Sequence, residues 1–128
     1  MKYLGIFGDL LSLTSNYIDM NKEHTVIEEA IINRVRQRRE EVVINPSKLA
    51  VKAGLPRDFV RKAEDFTKGY KYNVNHLNEF AKILKCRIAN FFPDPYLEED
   101  CVEEYHIIVE ERKKRKQNMN GTAPNDSM

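Results

Sequence analysis

The chain has 128 residues, 41% of them hydrophobic and 32% charged, with 21 Lys+Arg against 20 Asp+Glu. That is enough apolar surface for one core; no apolar run approaches the ~18 residues of a membrane span, and the net charge names no partner. The two cysteines, Cys86 and Cys101, sit in no paired pattern, which excludes a disulfide-dense secreted scaffold and reads as reduced thiols in a cytoplasmic protein.

The near-neutral total hides a segregation. Residues 22–92 carry 15 Lys+Arg against 9 Asp+Glu, whereas 93–128 carry 5 against 9. The basic middle suggests an anionic partner, and a solvated helical surface explains the same charge equally well.

Residues 1–21 form an N-terminal extension. Asp9 and two glycines interrupt its apolar stretch and no small-residue cleavage site follows, so the pattern of a signal peptide is not met. From Thr25 the pattern becomes helical: Thr25 and Glu28 have capping-box spacing, and Ile27, Ile31 and Val35 recur every four residues beside Ala30. Arg34, Arg36, Arg38 and Arg39 cover the other face, and Arg36, Arg38 and Arg39 either pair with Glu40, Glu41 and the acidic tail or reach a flanking phosphate.

Asn45-Pro46 is a cap followed by Pro at the first helical position. The short helix that follows turns Leu49, Ala50 and Ala53 inward and stops at Gly54, placed for a left-handed conformation. Pro56 opens the next helix, with Phe59, Val60, Ala63 and Phe66 inside. Gly69 supplies a positive φ in the following loop and Asn73 a cap. Val74, Leu77, Phe80, Ala81 and Leu84 trace a further apolar stripe, and Ile88, Phe91 and Phe92 extend it to Pro93 and Pro95.

Beyond Pro95 the chain changes character. Residues 94–111 hold eight carboxylates and no Lys or Arg, followed by the basic block 112–116. Val102, Tyr105, Ile108 and Val109 share one helical face; the alternation of 101, 103, 105, 107 and 109 is a rival strand reading, and helix is preferred. The expected organisation is an extension over 1–21, a unit over 22–95, an acidic-then-basic extension over 96–117 suited to dimer contacts, and a disordered tail over 118–128.

The segment PSKLAVKAGLPRDFVRKA has the spacing of a helix-turn-helix: Ala50 four before Gly54, Leu55 directly after it and Val60 six beyond. With FAKILKCRIANFF at 80–92, where Phe80, Ala81, Leu84, Cys86, Phe91 and Phe92 fall in register, the chain resembles the Cro and phage-repressor (XRE) family over about 27–92. The resemblance implies an all-α, five-helix, lambda-repressor-like bundle whose second and third helices bind DNA. The sequence departs from the family at Pro46, where Gln is frequent; at Pro56, where Ser or Thr often caps; at Lys85, where Gly is customary; and in a longer loop over 64–74.

In that frame Arg57 and Arg61, four apart, face base edges, where Arg can hold guanine O6 and N7. Asp58 either accepts from cytosine or complements the helix N-terminus. Lys62, Lys68 and Lys71 are phosphate contacts, Lys48 faces the backbone, and the amides around Pro46, Ser47 and Lys48 suit a phosphate. Tyr70 packs on the sugar-phosphate chain or lies as a lid on the core.

An enzyme is not expected. His24, His76 and His106 are spread over three segments, no His/Cys cluster has zinc spacing, and no cofactor or metal is implied. The resulting expectation is a sequence-specific transcriptional regulator that binds duplex DNA as a homodimer, with no membrane association. The C-terminal extension is also open to a protein partner. Two rivals are an antitoxin that also binds its own operator and an interaction module without DNA binding.

Overall fold

The computed structural model describes residues 22–126, with side chains as far as Met119; the extension expected over 1–21 lies outside the described residues. Among the described residues the protein is all-helical with no strand: α1 (Val26–Glu41), α2 (Pro46–Lys52), α3 (Phe59–Glu64), α4 (Val74–Leu84), a 3-10 turn at Ile88–Phe91, and α5 (Cys101–Asp126). The fold is the all-α bundle expected, and residues 101–109 are helix, not strand.

Helix starts are set by side chains that satisfy otherwise orphaned amides. Thr25 Oγ1 accepts the Glu28 N–H at 3.3 Å, and Glu28 Oε1 accepts the Thr25 N–H at 2.8 Å. Asn45 Oδ1 accepts the Lys48 N–H at 2.8 Å, with Pro46 at the first helical position. Asn73 Oδ1 accepts the His76 N–H at 2.9 Å, while His76 Nδ1 accepts the Asn73 N–H at 3.1 Å.

Helix ends share one device. At α2 the Leu55 N–H reaches Ala50 O at 2.9 Å and the Gly54 N–H reaches Val51 O at 3.0 Å; this is a Schellman closure with Gly54 at φ 78°. The α1 end repeats it, with Ile44 N–H to Arg39 O at 3.0 Å and Val43 N–H to Glu40 O at 3.1 Å. At α4 the Cys86 N–H reaches Ala81 O at 3.1 Å. The left-handed positions in these two are Val43 (φ 57°) and Lys85 (φ 54°). A side chain there crowds the following carbonyl, most severely when β-branched.

The core gathers Val35, Leu49, Ala50, Val60, Leu77, Phe80, Leu84 and Phe91 from the four shorter helices and the 3-10 turn. Three expectations need correction. The buried stripe of α1 is Ile32, Val35 and Arg39, one position round from Ile27 and Ile31, which are half-buried. Val74 is exposed, because it is the first residue of α4. Helix α3 starts at Phe59, not Pro56: Phe59 N–H bonds Pro56 O at 2.9 Å, so Pro56–Asp58 form a turn before it. It ends at Glu64, after which Asp65 Oδ1 captures Thr67 N–H at 3.1 Å and so competes with further helix.

Helix α5 leans on the start of α1 chiefly through charge. Glu104 pairs with Lys22 at 2.6 Å, and its Oε1 accepts the Val26 N–H at 2.9 Å, a carboxylate at a helix N-terminus. Glu23 receives Arg112 at 3.1 Å and Arg115 at 3.3 Å. Of the stripe Val102, Tyr105, Ile108 and Val109, only Ile108 is fully buried, at 4% exposure. The helix continues to Asp126, although composition predicts a disordered tail from 118; no Gly or Pro interrupts 101–120.

Candidate nucleic-acid interface

Helices α2 and α3 make the most extensive helix–helix contact among the described residues. Leu49 and Ala50 of α2 and Val60 and Ala63 of α3 are buried, which fixes the outward direction of the rest. Lys48 and Lys52 lie four apart on the exposed side of α2, and Arg57 and Arg61 are exposed on the turn and helix that follow. Lys68 is exposed in the loop after α3. None of these five cations forms a salt bridge among the described residues. Lys52 was missed by the sequence reading, although its spacing from Lys48 placed it on the same helix face.

Cations elsewhere are largely engaged. Arg36 pairs with Glu40 and Arg38 with Glu41, each at 3.2 Å. Arg38 also donates to Leu84 O at 3.0 Å and Lys85 O at 3.3 Å, closing the end of α4. Arg39 is buried: Nε and Nη2 meet both carboxylate oxygens of Glu64 at 2.9 and 2.8 Å, and Nη1 donates to Ile44 O at 2.9 Å. This guanidinium ties the end of α3 to the α1–α2 turn. It is a structural group, neither the surface charge nor the phosphate ligand that its place in an arginine-rich run suggests.

Four candidate contacts change role. Asp58 pairs with Lys62 at 3.0 Å, and that hydrogen bond lowers its pKa and raises that of Lys62. A carboxylate so engaged is not a free acceptor for cytosine. Lys62 also lies 5.3 Å from the centroid of the Tyr70 ring. Lys71 faces the α1–α5 side, 3.2 Å from Glu28 and 5.5 Å from the Tyr105 ring centroid. At the start of α2, Pro46 has no N–H and that of Lys48 is taken by Asn45, so the expected amide cradle reduces to the N–H of half-buried Ser47.

Tyr70 is half-buried and serves the core. Its ring packs edge-on against Phe59 at 5.4 Å, and its carbonyl is 2.7 Å from Nε2 of buried His24. His24, given no role by the sequence reading, joins residues 22–25 to the loop after α3 and lies tilted against Phe66, with ring centroids 5.3 Å apart. Beneath this layer, burial pushes up the pKa of the Tyr72 hydroxyl, helped by the Glu64 charge. That hydroxyl has no hydrogen-bond partner among the described residues. Burial pushes His76 the other way, lowering its pKa.

Among the described residues no group of three or more His, Cys, Asp or Glu is placed to hold a metal ion. No helix among them is long and apolar enough to cross a membrane. No family model matches the chain, and no curated protein matches it. Among solved structures the chain is similar to hydroxypropylphosphonic acid epoxidase from S. wedmorenis, with 21% identity over 59% of this chain and 39% of that one and a TM-score of 0.49. It is similar to apo-HppE at 21% identity over 59% of this chain and 41% of that one, with a TM-score of 0.48. The matched region thus spans 39–41% of those chains.

Proposed function

We propose that the unit over 22–95 binds duplex DNA sequence-specifically and regulates transcription, with α3 in the major groove and α2 crossing the backbone. One observation carries the reading. Of the eight Lys and Arg of this unit without a salt bridge among the described residues, five, Lys48, Lys52, Arg57, Arg61 and Lys68, lie on α2, α3 and the turn and loop beside them, while Arg36, Arg38 and Arg39 of α1 hold acidic partners. Arg34 of α1, and Lys85 and Arg87 after α4, are the remaining exposed cations of this unit without a salt bridge.

In this reading Arg57 and Arg61 address guanine edges, and Lys48, Lys52 and Lys68 address phosphates. Asp58, Lys62, Tyr70 and Lys71 leave the contact set. A unit of this size covers a limited stretch of DNA, so two copies on a pseudo-palindromic site are expected. The role is one of binding in the cytoplasm, with no catalytic step and no cofactor.

The test is selection of bound duplexes from a random pool, followed by binding of Arg57→Ala and Arg61→Ala to selected and scrambled duplexes. Each variant should lose ~1–3 kcal/mol of discrimination at one base pair per half-site. Lys68→Ala should weaken all duplexes alike, and Lys71→Ala should change little. A wild type that enriches no sequence refutes specific regulation. A wild type that also fails to bind at low salt refutes DNA binding altogether.

A further inference from the structure

Three exposed cations of the bundle stand apart from the α2–α3 face without a salt bridge among the described residues: Arg34, Lys85 and Arg87. They are not scattered. Arg34 Nη1 donates to Asn90 O at 3.4 Å, which brings α1 over the 3-10 turn. Lys85 and Arg87 flank Cys86 in the chain. Arg34, Cys86 and Asn90 line one cleft of about 230 Å³ between α1 and the turn that follows α4, where Gln37 and Arg38 complete the α1 side.

Charge around this cleft is unbalanced. Arg38 is largely spent, with Nε on Leu84 O, Nη2 on Lys85 O and Nη1 on Glu41 at 3.2 Å. Glu41 is the single carboxylate among the lining residues, so Arg34, Arg38, Lys85 and Arg87 share one counter-charge. Like charges four apart on a helix, as Arg34 and Arg38 are, cost stability. Cys86 brings no relief: burial raises its pKa against the opposing effect of Arg38, so the thiol keeps its proton and stays neutral. Arg34 makes one long bond and keeps most of its N–H donors, and the exposed carboxamides of Gln37 and Asn90 share the cleft with it.

We infer that this cleft binds the phosphate group of a small molecule, with Arg34 as the principal ligand and the Gln37 and Asn90 carboxamides as secondary donors. A guanidinium meets a phosphate with two parallel N–H bonds. A phosphate monoester carries a charge of about −1.5 to −2 at pH 7 and offsets the excess better than a carboxylate does. Size sets the rest. Pockets that enclose a drug-sized molecule start near about 300 Å³, so this cleft takes the end of a compact ester and not a whole nucleotide. The site lies off α2 and α3 and needs no DNA, so its failure and the failure of the proposed function are read separately.

The test uses the full chain, with inorganic phosphate as the probe against sodium chloride at equal ionic strength. Phosphate should shift the backbone amide signals of Gln37, Cys86 and Asn90 saturably and leave those of Lys48, Lys52 and Arg61 in place, and sodium acetate should not reproduce this. It should also raise the thermal unfolding midpoint by roughly 5 °C at about ten times its dissociation constant. Arg34→Gln, at an exposed position, should fold and lose both responses, whereas Lys52→Gln should keep them. A response retained by Arg34→Gln, one matched by acetate, or shifts spread evenly over all basic residues would each overturn the proposal. Weakened duplex binding by Arg34→Gln, with no saturable shift by free phosphate, would give the cleft to the DNA backbone and overturn the small-ligand site.

Discussion

Removing both partners of the Arg39–Glu64 pair should damage the fold less than the two single removals add up to. Arg39 reaches Glu64 with two hydrogen bonds of 2.9 and 2.8 Å and Ile44 O with a third of 2.9 Å. The side chains are 9% and 10% exposed, so neither charge is rehydrated when its partner goes. Arg39→Met leaves the Glu64 carboxylate buried with no counter-charge, at a cost of ~3–5 kcal/mol. Glu64→Gln should cost less, because Ile44 O still accepts from the guanidinium and Glu40 lies 3.9 Å away at the surface.

Against a typical total of ~5–15 kcal/mol for a small domain, either loss is large. Arg39→Met with Glu64→Leu removes both charges and refills the space, so its loss should fall short of the sum of the singles by ~1–3 kcal/mol. Urea unfolding of wild type, both singles and the double closes the cycle. Singles costing less than ~1 kcal/mol, the range of exposed ion pairs, or a strictly additive double would refute the reasoning.

Three further outcomes follow from local geometry. Val43→Gly should stabilise the fold by ~0.5–1 kcal/mol in thermal unfolding, because it relieves ~1–2 kcal/mol of left-handed strain against ~0.5–1 kcal/mol of extra chain entropy. Val43 is 88% exposed, so no packing is lost, and a destabilised variant would contradict the account of this turn. His76 has its pKa lowered by burial, so the unfolded chain binds its proton more readily than the folded one. Stability is then unaffected by this group above the ordinary histidine value and falls as pH drops below it; His76→Gln should flatten that fall in unfolding measured across pH. Tyr72→Phe should hold or raise stability, since the buried hydroxyl has no partner to lose among the described residues; a loss above ~1 kcal/mol would expose a bond this geometry lacks.

What could be read from the sequence was the chemistry that acts within four residues. Thr25 with Glu28, Asn45 with Pro46, and Asn73 each cap a helix through their own side chains, and Gly54 and Gly69 occupy left-handed positions. The rule that finds a helix end by its glycine cannot see Val43 or Lys85, which take the same conformation against their preference. Pairing across the fold is equally invisible. Arg39 and Glu64 are 25 residues apart, and Lys71 and Glu28 are 43 apart. Composition makes all four surface charges. Only once the helices are packed does it emerge that one pair is interior and that Lys71 is committed away from α3.

The same sorting sharpens the electrostatics of the proposed complex. Residues 22–92 hold 15 Lys+Arg, and if all bound phosphate the logarithm of affinity would fall with that of salt at a slope near −13, by the factor of about −0.9 per phosphate. The fold engages nearly half of them, Lys22 with Glu104 among them. Arg36, Arg38, Arg39, Lys62, Lys71 and Lys82 each hold an acidic partner, and releasing one to phosphate breaks an internal pair. Arg34, Lys85 and Arg87 belong to other elements; with Arg57 and Arg61 on bases, Lys48, Lys52 and Lys68 remain on α2 and the loop after α3, and the slope per protomer from this face is about −2.7. With both arginines on phosphates instead, it steepens to about −4.5. Titration of a selected duplex over a range of salt, for wild type and the Arg57→Ala/Arg61→Ala double variant, separates the two. An unchanged slope in the variant means the arginines read bases, and a slope shallower by about 1.8 means they hold phosphates. A wild-type slope near zero, or one far steeper than about −4.5 per protomer, would mean that the five cations Lys48, Lys52, Arg57, Arg61 and Lys68 are not the set that meets DNA.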